Sequence, residues 1–211
     1  MKGPRQWAWL PPLLTFIALT MALEVWLWFA DIPSYLLPRP MEVFTALHQE
    51  WGDLSRAILR TGMEASAGLL ASVVLGVAVA IALSINDWLR RAFYPYAVFF
   101  QTVPIIAIAP LLVIWLGYGP RTIIAVSLIV SVFPIIANTL SGLLSTDPGL
   151  RDLFRLHRAG ILTTLVKLRI PAALPQFLTG LRIASGLAVI GAIVGEFVAD
   201  DYRDGGGIGT V

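Results

Sequence analysis

Residue types that carry out enzyme chemistry are sparse in this chain. It has no cysteine, which excludes disulfides, thiolate metal sites and cysteine nucleophiles. Its two histidines, His48 and His157, do not form a His-Glu-x-x-His arrangement. No Gly-x-x-x-x-Gly-Lys-Ser/Thr run is present, so the sequence contains no P-loop for ATP. We therefore expect no catalytic residue, no metal site and no cofactor held by this chain.

The glycine-rich run at residues 205–209 is a weak candidate for nucleotide binding. It lacks the preceding strand and the following helix of a dinucleotide site. We interpret it as a flexible exit from the last apolar segment.

The more informative polar residues interrupt long apolar stretches. A charged side chain at the centre of a bilayer costs about 2.5–3.5 kcal/mol on insertion scales, which applies to Glu24, Arg182 and Glu196. We expect Glu24 to face protein and Arg182 to reach towards the headgroups. Glu196 lies either at the outer interface or in the interior, and Asn138 either bridges helices or lines a path.

Long apolar helices must position these residues. The chain has 211 residues, of which 57% are hydrophobic and 13% are charged, with a mean hydropathy of +0.80. A bilayer core about 30 Å thick needs roughly 20 apolar helical residues. We predict an all-α polytopic membrane bundle, a single domain over residues 1–211, with spans at about residues 9–30, 63–84, 93–116, 122–144 and 173–199.

The basic residues predict which side of the membrane each connection faces. A cytoplasmic N-terminus places inside Lys2, Arg5, Arg90, Arg91, Arg151, Arg155, Arg158, Lys167 and Arg169. It leaves outside only Arg39, Arg56, Arg60, Arg121 and Arg203. This excess favours a cytoplasmic N-terminus. The formal net charge of +2 gives no reason to expect a nucleic-acid partner.

Two connections are long enough to hold structure. The external segment, residues 31–60, contains an amphipathic stretch at residues 41–54 that predicts a helix lying at the membrane interface. The cytoplasmic segment, residues 147–171, alternates basic and apolar residues. Asp147-Pro148 is a helix-start signal and Pro171 marks the predicted far end. We expect a short amphipathic helix here that docks on a partner.

Prolines lie inside the predicted spans. Pro104, Pro110 and Pro134 each remove a helix hydrogen bond. Such kinks either line a cavity or simply adjust packing. Glycines in the second and fifth spans predict close helix approach.

The order of several short motifs carries a family resemblance. The external stretch at residues 32–43 is Ile-Pro-Ser-Tyr-Leu-Leu-Pro-Arg-Pro-Met-Glu-Val. Later motifs are Gln-Thr-Val-Pro (101–104), Phe-Pro-Ile-Ile-Ala-Asn-Thr (133–139), Ile-Pro-Ala-Ala-Leu-Pro (170–175) and Thr-Gly-Leu-Arg (179–182). Together, over roughly residues 23–209, these resemble the permease subunits of binding-protein-dependent ABC importers of the nitrate, sulfonate and taurine group. The resemblance implies the type I importer permease fold.

The resemblance assigns an ATPase-coupling site to the cytoplasmic segment. The family motif is Glu-Ala-Ala, three residues, Gly, nine residues, Ile, any residue, Leu-Pro. Aligned on Pro171, it places Asp152, Leu153 and Phe154 at Glu-Ala-Ala, Arg158 at the glycine, Leu168 at the isoleucine and Ile170-Pro171 at Leu-Pro. Arg158 is the main departure. We expect Gly160, which follows Arg158 and Ala159, to supply the flexibility of the missing glycine.

The resemblance also implies the partners and the pathway. It implies a cytoplasmic ABC ATPase dimer carrying the ATP and Mg, a second permease copy, an extracytoplasmic substrate-binding protein and surrounding lipid of a bacterial inner membrane. Translocation-pathway candidates are Gln101, Pro104, Asn138 and Glu196. The wording of the cytoplasmic segment is more similar to members associated with pyrimidine-type thiamine precursors. Sulfonates, taurine, nitrate and riboflavin-like solutes stay open.

Two other classes compete with this interpretation. A membrane-embedded enzyme would need convergent acids and bases at one membrane face. The acids Glu196, Asp200, Asp201 and Asp204 cluster near the C-terminus, with no partner base in the sequence nearby. A membrane scaffold that transports nothing is the third class. Relatives of the resembled kind continue into a further span, so we expect five spans here and a missing sixth.

Overall fold

The chain is mostly helical in the part that the structure describes. The computed structural model describes residues 9–30, 32–199 and 206–210, apart from the side chain of Phe100. Its helices are α1 (Leu10–Ala30), α2 (Pro40–Gln49), α3 (Trp51–Ile85), α4 (Asp87–Thr102), α5 (Ile105–Leu116), α6 (Pro120–Leu144), α7 (Pro148–Leu156), α8 (Ile161–Thr164) and α9 (Ile170–Ala199). A π-helical turn, Leu165–Arg169, joins α8 to α9. Outside the described residues lie Lys2, Arg5 and Arg203, used for orientation, the acidic Asp200, Asp201 and Asp204, and Gly205.

The chain divides into two compact units, Met1–Ser55 and Arg56–Val211, where one domain was predicted. In the first unit, the Glu24 carboxylate of α1 accepts a hydrogen bond from the backbone N–H of Met41 at the start of α2 (3.3 Å). The expectation that Glu24 faces protein is thus confirmed. The predicted helix over residues 41–54 is wrong in extent, because α2 ends at Gln49 and α3 begins at Trp51.

In the second unit, a very short connection joins α3 to α4. Asn86 makes the connection, and its side-chain oxygen accepts hydrogen bonds from the N–H groups of Trp88 (2.9 Å) and Leu89 (3.2 Å). This satisfies donors at the start of α4 that have no partner within the helix.

The predicted span over residues 93–116 is wrong as a single helix. The chain breaks between α4 and α5 at Val103 and Pro104, and Pro104 adopts extended backbone (φ −61°, ψ 121°) as the N-cap of α5. Proline has no N–H to donate and disfavours helical geometry at the residue before it. Pro110 and Pro134, by contrast, lie within α5 and α6.

Helices α6 and α9 form the core of the second unit through small residues. A Cβ added at Gly191 of α9 would lie 2.8 Å from the Cα of Ser127 on α6. The Ser127 hydroxyl also donates to the backbone oxygen of Ala188 (2.9 Å). On α3, Gly76 is equally close to α6, since its Cβ would lie 2.7 Å from the Cγ2 of Ile135. The predicted role of glycine in close helix approach is confirmed at these positions, but it is wrong at Gly62 and Gly186, where nothing lies within 4 Å of an added Cβ.

Among the described residues, four helical segments are long and apolar enough to cross a membrane: Leu10–Ala30, Trp51–Ile85, Pro120–Leu144 and Ile161–Ala199. α5 is apolar but shorter. The third predicted span, residues 93–116, thus corresponds to part of α4 followed by α5. The all-α membrane bundle is confirmed.

Candidate functional site

The segment at residues 147–171, which the sequence predicts to be cytoplasmic, begins with helix α7, as predicted. Asp147 is its N-cap, and the side chain accepts a hydrogen bond from the N–H of Leu150 (3.1 Å), while Pro148 takes the first helical position. Leu153 is 47% exposed and Leu156 is 80% exposed. Asp152 is exposed and lies 3.7 Å from Arg155. The described part of the fold therefore leaves these apolar side chains of α7 partly or largely exposed.

α7 ends in a Schellman turn built around Arg158. The N–H of Arg158 donates to the Arg155 oxygen (2.9 Å), and the N–H of Ala159 donates to the Phe154 oxygen (3.0 Å). Arg158 occupies the left-handed region with φ +49°. Glycine is the usual residue there because a Cβ is costly in this conformation. Arg158 thus adopts the geometry for which the resembled motif has a glycine.

The expectation that Gly160 replaces the missing glycine is wrong. Gly160 has ordinary extended backbone (φ −65°, ψ 164°) and is the N-cap of α8. Arg158 and Ala159 donate the two hydrogen bonds that close the turn, so no left-handed residue is needed at Gly160.

The second half of the segment is built into the longest helix. Leu165 and Leu168 are buried, whereas Ile170 and Pro171 are exposed. The predicted helix end at Pro171 is wrong, because the helix continues from Ile161 to Ala199. The π turn explains this: Ile170 donates its N–H to the Leu165 oxygen, five residues back. The wider turn accommodates a proline that lacks the N–H and would crowd the preceding carbonyl in a regular helix.

Two arginines tie the segment to the ends of long helices. Arg151 of α7 donates to the backbone oxygen of Leu144, the last residue of α6. Arg169 of the π turn donates to the backbone oxygen of Ser84 near the end of α3 (3.0 Å). Cations are favourable at helix C-termini, whose carbonyls carry partial negative charge. Sequence reasoning used both arginines only to predict topology, because the carbonyl groups that they contact cannot be identified without the packing of the helices.

The structure does not bring the four pathway candidates together into one site. Gln101 is exposed on α4, and Pro104 is exposed at the break before α5. The Asn138 amide donates to the Pro134 oxygen of its own helix (2.9 Å) and lies against Gly180 of α9. Only Glu196 belongs to a buried polar cluster.

Glu196 is 1% exposed on α9. Its carboxylate accepts hydrogen bonds from the hydroxyl of Thr61 on α3 (2.6 Å) and from the N–H of Gly209 (2.8 Å). The Thr61 hydroxyl oxygen accepts one from the N–H of Ile208 (2.9 Å). The flexible exit predicted for the glycine-rich run is therefore wrong for residues 206–210, which fold back onto Glu196. Nothing in the sequence spacing pointed to Thr61.

A buried carboxylate on α3, that of Glu64, was also not predicted from the sequence. Glu64 is buried, and Arg60 lies 3.3 Å from it one helical turn earlier. Among residues 9–30, 32–199 and 206–210 no group of three potential metal ligands is close enough to hold an ion.

Comparison with known proteins gives the family. Residues 72–205 match the family described as the inner membrane component of binding-protein-dependent transport systems. The formylaminopyrimidine transport permease ThiX of Halalkalibacterium halodurans is 39% identical over 92% of this chain and 78% of its own length. The bicarbonate transport permease CmpB of Synechococcus elongatus is 27% identical over 83% of this chain and 68% of its own length. The riboflavin transport permease RibX of Chloroflexus aurantiacus is 34% identical over 53% of this chain and 42% of its own length.

The matched region begins within α3 and runs past the end of α9, so it contains the α6–α9 core, the segment at residues 147–171 and Glu196. This agrees with the apolar helices of the fold. The chain belongs to the permease family of binding-protein-dependent ABC transport systems and is a multi-pass inner-membrane protein.

Proposed function

We propose that this chain is the pore-forming subunit of an ATP-driven importer and that the segment from Pro148 to Pro171 couples it to a separate cytoplasmic ATPase. The observation that carries the proposal is α7, a short helix whose Leu153 and Leu156 are exposed and whose polar flanks suit a cytoplasmic position. An apolar helix face that the described part of the fold leaves partly or largely exposed is suited to a groove on a partner.

The coupling route follows the two arginine contacts. A force on the segment acts on α6 through the contact of Arg151 of α7 with Leu144, and on α3 through the contact of Arg169 of the π turn with Ser84. α6 is packed closely on α9, so the bundle moves with the segment. In this proposal, closure of the ATPase dimer draws two such segments together and changes the access of a cavity between two permease copies. ATP hydrolysis on the partner resets the pair.

The proposed orientation has a cytoplasmic N-terminus. It places α7 and the α3–α4 connection inside, together with Arg90, Arg91 and Arg151. It places Glu196 and residues 206–210 at the outer end, where an extracytoplasmic binding protein delivers the solute.

For the solute we propose a small pyrimidine of the thiamine-precursor kind. The support is the 39% identity to the formylaminopyrimidine permease over 92% of this chain, against 27% for the bicarbonate permease. Thermal-shift measurements on the partner binding protein, with formylaminopyrimidine, taurine, bicarbonate and riboflavin in parallel, test this. Stabilisation by one of the other solutes alone would refute the pyrimidine assignment.

Co-purification tests the coupling assignment. The tagged permease, co-expressed with its ATPase in native membranes, should retain the ATPase after detergent extraction. A variant with the residues of Pro148–Leu156 scrambled should lose it, whereas scrambling Pro40–Gln49 should not. Retention of the ATPase by the first variant would show that α7 is not the docking element.

A further inference from the structure

Behind α7 lies a cleft of about 240 Å³ that concentrates positive charge. Arg151 and Arg155 of α7 and Arg169 of the π turn all line it. The rest of the lining is mostly apolar: Ile85, Phe154, Ala159, Ile161, Thr164 and Leu165. Apolar walls lower the local dielectric, so the charges interact more strongly there than in water.

Among the described residues, the cleft is lined by three arginines and by no acidic side chain. Asp87 is already paired with Arg90 at 2.9 Å. Asp152, the acid next to Arg155, lies 3.7 Å from it on the exposed side of α7. An excess of positive charge therefore remains around the cleft.

Part of the hydrogen-bonding capacity of these guanidinium groups is also unused. Arg151 and Arg169 each spend one terminal nitrogen on a helix-end carbonyl. Their Nε atoms are buried and have no hydrogen-bond partner within the described part of the chain. Leaving a buried charged donor unsatisfied is costly, so such groups usually have a partner.

We propose that this cleft binds an oxyanion of the phosphate class, held by Arg151, Arg155 and Arg169. A phosphate group carries enough negative charge to balance the excess, and its oxygens match the planar donor array of arginine. The volume accommodates a group of several heavy atoms. The ligand is either free phosphate or the headgroup of an anionic phospholipid, since the proposed orientation places the cleft at the cytoplasmic headgroup level, where basic pockets between membrane helices bind such lipids.

The bound anion would have a mechanical consequence. It bridges α7 and the π turn, which are the two parts of the coupling segment tied to α6 and α3. Occupancy therefore stiffens the route proposed for coupling, although anion binding itself needs no ATPase.

The test uses the full chain purified without its ATPase. Titration with inorganic phosphate in lipid-free detergent, at constant ionic strength set with chloride, measures the free-anion arm by calorimetry or thermal shift. Native mass spectrometry after extraction from phosphatidylglycerol or phosphatidylcholine nanodiscs measures the lipid arm. We expect saturable binding of phosphate, selective retention of phosphatidylglycerol, or both.

The diagnostic variant is Arg155→Gln, because Arg155 lines the cleft but its side chain is 83% exposed and caps no helix in the described structure. Losing one charge-assisted hydrogen bond should weaken binding by roughly tenfold. Arg155→Lys should restore part of it. The matched control Arg91→Gln removes an exposed charge from α4, outside this cleft, and should leave binding unchanged.

Three results would overturn the proposal. They are no binding of phosphate or of phosphatidylglycerol by the wild-type chain, equal binding by wild type and Arg155→Gln, or equal loss in Arg155→Gln and Arg91→Gln. In a separate measurement of ATPase affinity, a loss in Arg155→Gln together with unchanged binding of phosphate and phosphatidylglycerol would also overturn the proposal, and would show that the cleft takes an acidic side chain of that partner. Because the binding measurements omit the ATPase, their failure leaves the docking test of α7 unaffected.

Discussion

The α6–α9 interface and the segment at residues 147–171 differ in which residue occupies a position that suits glycine. At the interface, Gly191 is required because a side chain would enter the backbone of Ser127. In the segment, the turn that favours glycine holds Arg158 at φ +49°. The interface is buried and fixed by close packing, whereas α7 leaves Leu153 and Leu156 uncovered. The difference shows which part holds the fold together and which part is shaped for a partner.

The largest expected effect is a break in the interface. Gly191→Leu should lower the free energy of unfolding by about 3 kcal/mol or more, because the side chain overpacks a contact between two helix backbones. Denaturant-induced unfolding in mixed micelles measures this. The control Gly186→Leu lies on the same helix where nothing is within 4 Å of an added Cβ, and it should be neutral or stabilising. Equal destabilisation of both variants would contradict the close-packed interface.

The opposite break, in α7, should damage partner binding and spare the fold. Leu156→Asp should weaken ATPase binding by about 2 kcal/mol, or roughly 30-fold, because it places a charge in an apolar contact. The unfolding free energy should hardly change, since Leu156 is exposed. Affinity measured by microscale thermophoresis, alongside melting of the permease alone, separates the two effects. Leu162→Asp, beyond the Arg158 turn, is the matched substitution and should weaken binding less.

A smaller effect tests whether the close packing of the fold extends to the end of α9 that carries Glu196. Thr61→Val should lower the free energy of unfolding by about 1.5 kcal/mol, because the buried Glu196 carboxylate loses a donor and Ile208 loses an acceptor. Thr179→Val removes an exposed hydroxyl that bonds only within its own helix and should be nearly neutral. A Thr61→Val, Glu196→Gln cycle by thermal unfolding would give no coupling energy if the hydrogen bond is unimportant.

The smallest effect concerns Arg158, which occupies the turn position that favours glycine. Arg158→Gly should raise the free energy of unfolding by about 0.5–1 kcal/mol, since glycine relieves the left-handed strain but loses some of that gain to its greater freedom in the unfolded chain. Arg155→Gly, inside α7, should instead lower it by about 1 kcal/mol. Calorimetric melting measures both variants. A higher stability of Arg155→Gly, or a lower stability of Arg158→Gly, would contradict the Schellman turn.

Several features were predictable from local sequence. The helix start at Asp147-Pro148 follows from a capping residue and a proline at the first helical position. The contact of Glu24 with protein follows from the cost of a carboxylate among apolar residues. The α4–α5 break was not predicted, because hydropathy averages over Pro104 and cannot say whether a proline kinks a helix or ends it. The same limit applied to Pro171, where a π turn let the helix continue.

The sequence by itself determined the membrane class and the family, because long apolar runs need lipid and the motif order is specific. Only the tertiary structure decided what individual polar residues do. Thr61 meets Glu196, and Arg169 meets Ser84, across 135 and 85 residues of sequence. Such pairings depend on how helices pack, and one sequence contains the residues but not their distances. Arg158 is the clearest case: its residue type argued against a turn, and the two hydrogen bonds around it hold the turn in place.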